Sequence, residues 1–215
     1  MTFLERNIDC CSDFELEKWE TLSKKIRKKI ISDSTRQIKR LKEQGKLETR
    51  FLQSYKKTEK YLDNFWEFRK KRWGHNKSYS CSSNTEDFVK SLINKTSDNI
   101  LFSGLYLNDT PIALSLSFLK GNTIYYYIPV VNPSFLKFSP GRLLLIDTIK
   151  WAISKKYTTF DFLYGEEPYK FEWPVNKNEL ISITIYNHKI KSILGHFADK
   201  NIKPTVKKFY EKYVR

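Results

Sequence analysis

Three β-rich runs, NILFSGLYL, PIALSLSFL and TIYYYIPV, follow one another from Asn99 with only NDT and KGN between them. Turns that short make consecutive strands pair antiparallel, so the middle of the chain is predicted to be a three-stranded meander. The pattern then changes period. SPGRLLLIDTIKWAISKKY has helical length and spacing from about Gly141 to Lys156, and TTFDFLYG returns to strand alternation. Strand, loop, helix and strand within about 40 residues form a βαβ crossover, whose two strands run parallel.

Ahead of the meander the spacing is helical. Trp19, Leu22, Ile26, Ile30, Ile38 and Leu41 recur every three or four residues between Asp13 and Gln44, with an interruption expected near Ser32 to Ser34 and a stop at Gly45. Further helices are predicted over Lys56 to about Trp73 and over Glu86 to Thr96. A strand at Leu180 to Asn187 and a basic helix close the chain. The predicted fold class is α+β, a mixed sheet with N-terminal helices, an antiparallel meander and one βαβ crossover. With no linker or repeat in view, one domain over 1–215 is expected: a mainly helical part (1–98), the mixed sheet with its crossover helix (99–187) and a basic C-terminal helix (188–215).

Composition narrows the partners. An apolar fraction of 40% with 15% aromatic residues excludes a disordered chain, and no apolar run reaches the roughly 18 residues that cross a bilayer. The first residues lack the order of a signal peptide, so the expected compartment is the cytoplasm. Three cysteines agree with that, Cys10 and Cys11 being adjacent and Cys81 lacking a partner at metal-ligand spacing, and no metal is expected. His75, His188 and His196 are read as surface or structural. The net charge of +15 predicts an anionic partner. Between Lys24 and Lys46 ten Lys or Arg stand against Asp33 and Glu43, a local excess of +8 and about half of the total. Such a helix is a solvated face or the seat of that partner. The mixed cations and aromatics of EFRKKRW, Glu67 to Trp73, read as one packed and one solvated helix face.

Two motifs fall where ligands of such sheets bind, at the carboxyl ends of the parallel strands beside the crossover helix. Ser139, Pro140 and Gly141 open that helix, whose free N–H groups can cradle a phosphate with Arg142 adding charge. At the end of the second parallel strand, FDFLYGEEPYKFEW crowds Asp161, Glu166, Glu167, Tyr169, Lys170 and Trp173 around Gly165.

These segments, with the basic helix LSKKIRKKIISDSTRQIKRLKEQG, resemble the CelD/BcsL-like acetyltransferases associated with cellulose and exopolysaccharide biosynthesis, a family of the GNAT superfamily related to the FemAB-like aminoacyltransferases. The similarity runs from about Asp9 to about Tyr186, and the spacing from Asp161 to Trp173 is its most specific part. The resemblance implies a GNAT-like fold, acetyl-CoA as donor, and an amine on a sugar, amino acid or related metabolite as acceptor. It implies a pyrophosphate loop at Lys137, Ser139, Gly141, Arg142 and Leu143, with Gly141 as the single glycine and Lys137 as the nearest cation. Members of that family commonly carry a preceding acyltransferase-like half, so a partner half or a homodimer is expected.

Acyl transfer from a thioester to an amine needs a deprotonated amine, a polarised carbonyl and a proton for the thiolate. Asp161, Glu166 or Glu167 is a candidate base, Tyr169 a candidate acid, and Lys170 a candidate charge partner for an acidic substrate or the oxyanion. Glu166, Glu167 and Trp173 are candidate acceptor contacts. A backbone N–H near the end of TIYYYIPV is the candidate carbonyl donor. Each also has a plainer reading: Asp161 on a polar strand face, the glutamates in an exposed turn, Tyr169 and Trp173 in the core, Lys170 at the surface. Two rival functions stay open. One is aminoacyl transfer from aminoacyl-tRNA; the other is a catalytically inactive acyltransferase-fold module that binds nucleic acid, a membrane surface or a protein.

Overall fold

The computed structural model describes residues 2–53, 55–73, 83–95, 99–186 and 189–198. His75, Cys81, His188 and the basic residues from Lys200 onward lie outside them. The elements run β1 (Thr2–Glu15), α1 (Trp19–Lys25), α2 (Lys28–Lys42), β2 (Leu47–Leu52), α3 (Tyr55–Trp73), α4 (Ser83–Lys95), β3 (Ile100–Leu107), β4 (Thr110–Lys120), β5 (Thr123–Val131), α5 (Pro140–Ser154), β6 (Thr159–Tyr164), β7 (Asn176–Tyr186) and α6 (Ile190–Phe197). Short 3-10 helices occupy Pro133–Phe138 and Lys170–Glu172. The seven strands are ordered β2-β3-β4-β5-β6-β1-β7. No helix of the described residues is long and apolar enough to cross a membrane.

The chain divides into two compact units, one of residues 12–177 and one of residues 1–11 with 178–215. In the larger unit β2, β3, β4 and β5 pair antiparallel in that order, and tight turns with left-handed Asn108, Asp109 and Gly121 join β3 to β4 and β4 to β5. β5 and β6 pair parallel across α5, as the crossover predicts. Leu145, Ile146, Ile149 and Ala152 of α5 pack with Leu22, Ile26 and Ile30 of the first helices on one face of the sheet. Leu62, Phe65 and Trp66 of α3 and Val89 and Ile93 of α4 cover the other face at β3, β4 and β5. In the smaller unit, Ile181, Ile183 and Ile185 of β7 and Ile193, Leu194 and Phe197 of α6 are exposed.

The N-terminal expectations are corrected in three places. Asp13 belongs to β1, where Cys10, Ser12 and Phe14 alternate inward; small polar residues at two of the buried positions hide the strand period from a hydrophobicity reading. The helix break falls at Ile26 and Arg27, whose backbones are extended, because the turn drives Ile26 into the core beside Leu22 and Ile30. Ser32 and Ser34 continue α2 unbroken, their hydroxyls donating back to the carbonyls of Lys29 and Ile30. Finally, β2 was not anticipated as a strand. It is set up by Gly45, where a Cβ would lie 2.1 Å from Asn108 Oδ1, so the α2–β2 turn nests against the β3–β4 turn. Asn108 accepts from Lys46 N at 2.8 Å and donates to the Gln44 carbonyl at 3.2 Å.

Candidate active site

β5 carries one residue more than β4 can match. Leu116 pairs with Ile128 and Ser117 with Tyr126, which leaves Tyr127 as a bulge. A bulge bends and twists its strand. On the opposite edge of β5, the parallel ladder to β6 holds three pairs among the described residues and ends at Tyr125 with Asp161, just before the bulge. Beyond that point the β5–β6 ladder holds no further pair among the described residues, and the cleft where the strands part is floored by the buried rings of Tyr126 and Phe162, which meet edge to face at 6.1 Å.

Asp161 stands at the apex. Phe160 and Phe162 face the α5 core with Phe14 of β1, so Asp161 and Asp13 share the opposite side of the sheet. The half-buried Asp161 carboxylate accepts the Leu163 N–H at 2.6 Å. Burial pushes its carboxyl above the ordinary aspartate range; the Leu163 amide opposes the shift, Asp13 adds to it, and Lys170 opposes it. Leu163 (φ 60°) and Gly165 (φ 112°) are both left-handed, which turns three consecutive carbonyls inward at the strand end.

Those carbonyls converge on Lys170. Its ammonium donates to Tyr164 O at 2.7 Å, Gly165 O at 3.2 Å and Leu163 O at 3.4 Å, and pairs with Glu167 at 2.7 Å. Lys170 is 2% exposed. The structure thus places it under the turn, fastening the strand end, with Glu167 folded over it. Tyr169 sits edge-on to Phe162 with centroids 5.9 Å apart, and burial, followed by the Glu167 charge, holds its phenol well above the usual range. Burial, followed by the neighbouring Tyr169, likewise raises the phenol of Tyr126, whose ring meets Phe162 edge-on at 6.1 Å. Glu166 is half-exposed and pairs with Lys177. Trp173 is in the core, stacked on Phe14 at 5.9 Å, away from solvent.

Across the cleft, the chain leaves β5 through the 133–138 turn and enters α5 at Ser139, which is left-handed (φ 50°, ψ 47°). Arg142 N and Leu143 N bond to the Ser139 carbonyl at 3.0 and 3.4 Å, and Pro140 has no N–H. The Gly141 amide is therefore the donor left at the helix mouth among the described residues. A Cβ on Gly141 would lie 3.0 Å from Val131 Cγ1, so glycine there lets the first helical turn seat against β5. Leu143 is buried. Arg142 reaches Glu172 at 3.0 Å, tying the mouth of α5 to the turn that carries Tyr169. Lys137 lies over the Phe138 ring at 5.1 Å and lines an open cavity of about 320 Å³ with Arg40, Glu43, Gln44 and Phe138.

The sheet, its crossover and this helix mouth give the chain an architecture that comparisons with known proteins also find. A family model described as an acetyltransferase (GNAT) domain matches residues 27–171. The chain belongs to the acetyltransferase (GNAT) domain family. No curated protein matches the sequence. Among solved structures, this GNAT domain has the fold of FemX, with a TM-score of 0.63, 12% identity, and coverage of 82% of this chain and 61% of FemX. It is similar also to the L-PGS of Bacillus licheniformis, at 0.59 and 13%, covering 89% of this chain and 65% of that one. The C-terminal domain of a putative lysylphosphatidylglycerol synthetase from Agrobacterium fabrum gives 0.60 and 8%, covering 92% and 66%. The chain spans less than two thirds of the length of each of these structures.

Both candidate rims stand out in the sequence because each is a contiguous motif, and Arg40 lies within the basic Lys24–Lys46 segment; Asp13, Tyr126 and the bulge at Tyr127 were not anticipated. Asp13 arrives from an element far away in sequence, and a bulge leaves no local signal in a run as uniformly aromatic as TIYYYIPV.

Proposed function

We propose that this GNAT domain transfers an acetyl group from acetyl-CoA to an amine of a sugar, amino acid or related metabolite, in the manner of the CelD/BcsL-like acetyltransferases, in polysaccharide or cell-envelope biosynthesis in the cytoplasm. The observation that carries the reading is the parting of β5 and β6 directly beside the mouth of α5. A donor whose phosphates lie on that helix end can lay its thioester at the end of β6, which Asp161 borders from one face and Tyr169, packed on Phe162, from the other.

The residues fit that task. The Gly141 amide, the positive end of α5 and Lys137 would hold the donor phosphates, with Ser139 and Arg142 at the rim and Leu143 fixing the turn from below. Asp161, its carboxyl raised by burial, takes the proton that the amine loses as its nitrogen bonds to the acyl carbon. Tyr169, kept protonated by burial, supplies a proton to the sulfur as the carbon–sulfur bond breaks. Pro129 has no N–H, and the alternation that turns Asn132 N to the Ile112 carbonyl also turns the Ile128 and Val130 amides to β4, so the polarising donor on β5 narrows to the Tyr127 amide at the bulge. Lys170 acts by holding the strand-end carbonyls and the turn, Glu167 by neutralising it; Glu166 is placed to meet the acceptor, and Trp173 supports the cleft from the core.

The fold likeness to FemX and to the putative lysylphosphatidylglycerol synthetase favours one second reading, transfer of an aminoacyl group from aminoacyl-tRNA, with the basic α2 gripping the RNA backbone. In either reading a partner acyltransferase half or a second copy is part of the proposal. Calorimetric titration with acetyl-CoA tests the choice. Saturable binding that weakens at least tenfold in Ser139→Asp, a carboxylate set before the helix mouth, supports the first reading. Absence of binding, with salt-sensitive binding of tRNA, supports the second.

A further inference from the structure

The cations of EFRKKRW do not all lie on the solvated face of α3. Leu62, Phe65 and Trp66 are buried, and the apolar stripe that they form at helical spacing continues at Arg69, which is half-buried where a core side chain would be expected. The Arg69 Nε–H is out of solvent and has no hydrogen-bond acceptor among the described residues. The indole N–H of Trp66, one turn earlier on the same face, is in the same state, and Trp66 is 2% exposed. The nearby carboxylates are engaged elsewhere: Glu67 pairs with Lys71 at 2.5 Å, and Glu86 of α4 pairs with Lys90 at 3.0 Å and Lys70 at 3.5 Å. Buried donors are nearly always satisfied, a charged one above all, because an unmade bond leaves the whole desolvation penalty standing. Two such donors side by side call for one shared acceptor.

We infer that Trp66 and Arg69 form a seat for a carboxylate, and that this carboxylate belongs to the acceptor amine. The second part rests on the acetyl-transfer reading above and narrows its acceptor to amines that also bear an acid, an amino acid or an amino sugar acid. The guanidinium presents Nε–H and a neighbouring Nη–H as a planar fork that matches the two oxygens of a carboxylate, and the indole N–H adds a third donor. Neither side chain has an acceptor, so a cationic ligand gains nothing there. Arg69 is partly exposed, and the ligand reaches the seat along the guanidinium with Trp66 at its inner end.

The place suits an acceptor. Trp66 belongs to one core cluster with Ile128 and Val130, the β5 residues that follow the Tyr127 bulge, on the sheet face opposite α5. Asp161 stands on that same face, in the last pair of the β5–β6 ladder. An acceptor anchored between Trp66 and Arg69 is therefore held on the side of the sheet where Asp161 would take its proton. The seat shares no residue with the mouth of α5.

The seat can be read on the indole itself. Sodium acetate is titrated into the isotopically labelled full chain, with acetamide as its neutral isostere and sodium chloride as a second anion, while the tryptophan indole N–H resonances are followed by NMR. Trp66→Phe identifies the Trp66 signal by its loss. A saturable downfield shift of that signal is expected with acetate and not with acetamide, and is expected to vanish with Arg69→Met, which keeps the apolar stripe filled. Arg69→Lys retains the charge without the fork and is expected to weaken acetate binding several-fold. Circular dichroism verifies that each variant is folded. No shift with acetate in the wild type overturns the seat, and an equal shift with chloride overturns it as the site of an adventitious ion only. The source of the carboxylate is tested by acetyl-CoA turnover with alanine against alaninamide and with glucosaminic acid against glucosamine. In at least one pair the wild type is expected to favour the acid by about tenfold or more in kcat/KM, and Arg69→Met to bring that ratio close to one. Turnover without such a preference overturns the acceptor source and leaves both the seat and the acetyl-transfer reading standing. Turnover of none of the four amines, with the indole shift present, overturns the acetyl-transfer reading and the acceptor source together and leaves the seat.

Discussion

The ammonium of Lys170 lies 2.7 Å from the carbonyl oxygen of Tyr164, the last residue of β6. That bond, with those to Leu163 and Gly165, satisfies acceptors that two left-handed residues have turned away from the sheet. Truncation orphans all of them. Lys170→Met is expected to lower stability by about 2–3 kcal/mol, read from the urea midpoint at unchanged slope. Stability equal to the wild type alongside lost turnover would instead make the ammonium a reacting group.

Asp161 makes the folded protein sensitive to pH in a defined direction. Its folded pKa lies above the unfolded one, so the folded state keeps this proton longer. The contribution is fully present below the ordinary aspartate range and is lost as pH rises through the raised value. Asp161→Asn retains an acceptor for the Leu163 amide and removes the buried charge. Urea midpoints between about pH 4 and 8 are expected to show a more stable variant at the neutral end and a flatter pH dependence. Acetyl transfer, by contrast, is expected to fall by about 100-fold or more with the general base gone.

Trp173 supports the cleft from within. Stacked on Phe14 and packed near Phe162, it is expected to cost about 3–5 kcal/mol as Trp173→Ala and far less as Trp173→Phe. Chemical denaturation followed by circular dichroism measures both without relying on the lost fluorophore.

In the proposed reading, Glu172 competes with the donor for Arg142. The pair is partly exposed, so its own contribution to stability is small. Glu172→Gln frees the guanidinium at the α5 mouth, and acetyl-CoA affinity is expected to rise by about three-fold in calorimetry, with little change in melting temperature. Unchanged or weaker affinity would show that Arg142 serves the turn and not the ligand.

Gly45 can be tested by stability alone. It sits at φ 150° with Asn108 where a Cβ would be, so Gly45→Ala must displace the side chain that joins the α2–β2 and β3–β4 turns. A loss of about 2 kcal/mol is expected. Asn108→Gly together with Gly45→Ala is expected to recover part of it, since the collision is then gone.

Much of the architecture could be read from local pattern. The meander and the crossover were visible because their strands are apolar and their turns short, and α3 and α4 because their apolar spacing is regular. β1 was hidden by inward-facing Ser12 and Cys10, and the break before α2 by an apolar spacing that runs straight through Ile26. At the site, Ser139 to Arg142 and Asp161 to Lys170 were found as motifs. The fate of Lys170 was not, because burial beneath three carbonyls follows from the backbone reversal at Leu163, and a leucine in that conformation has no sequence signature.

The bulge at Tyr127 separates what the chain needs to fold from what it needs to open a cleft. Tyr126 packs with the α5 core and Ile128 with the α3–α4 core, so the residues on either side of Tyr127 already occupy opposite faces, as adjacent strand residues should. Removing that one position would restore regular alternation and leave both cores their own side chains, while allowing β5 to keep company with β6 past Asp161. In hereditary terms the bulge amounts to one codon: a lineage could gain or lose it in a single in-frame step, without having to re-invent the sheet around it.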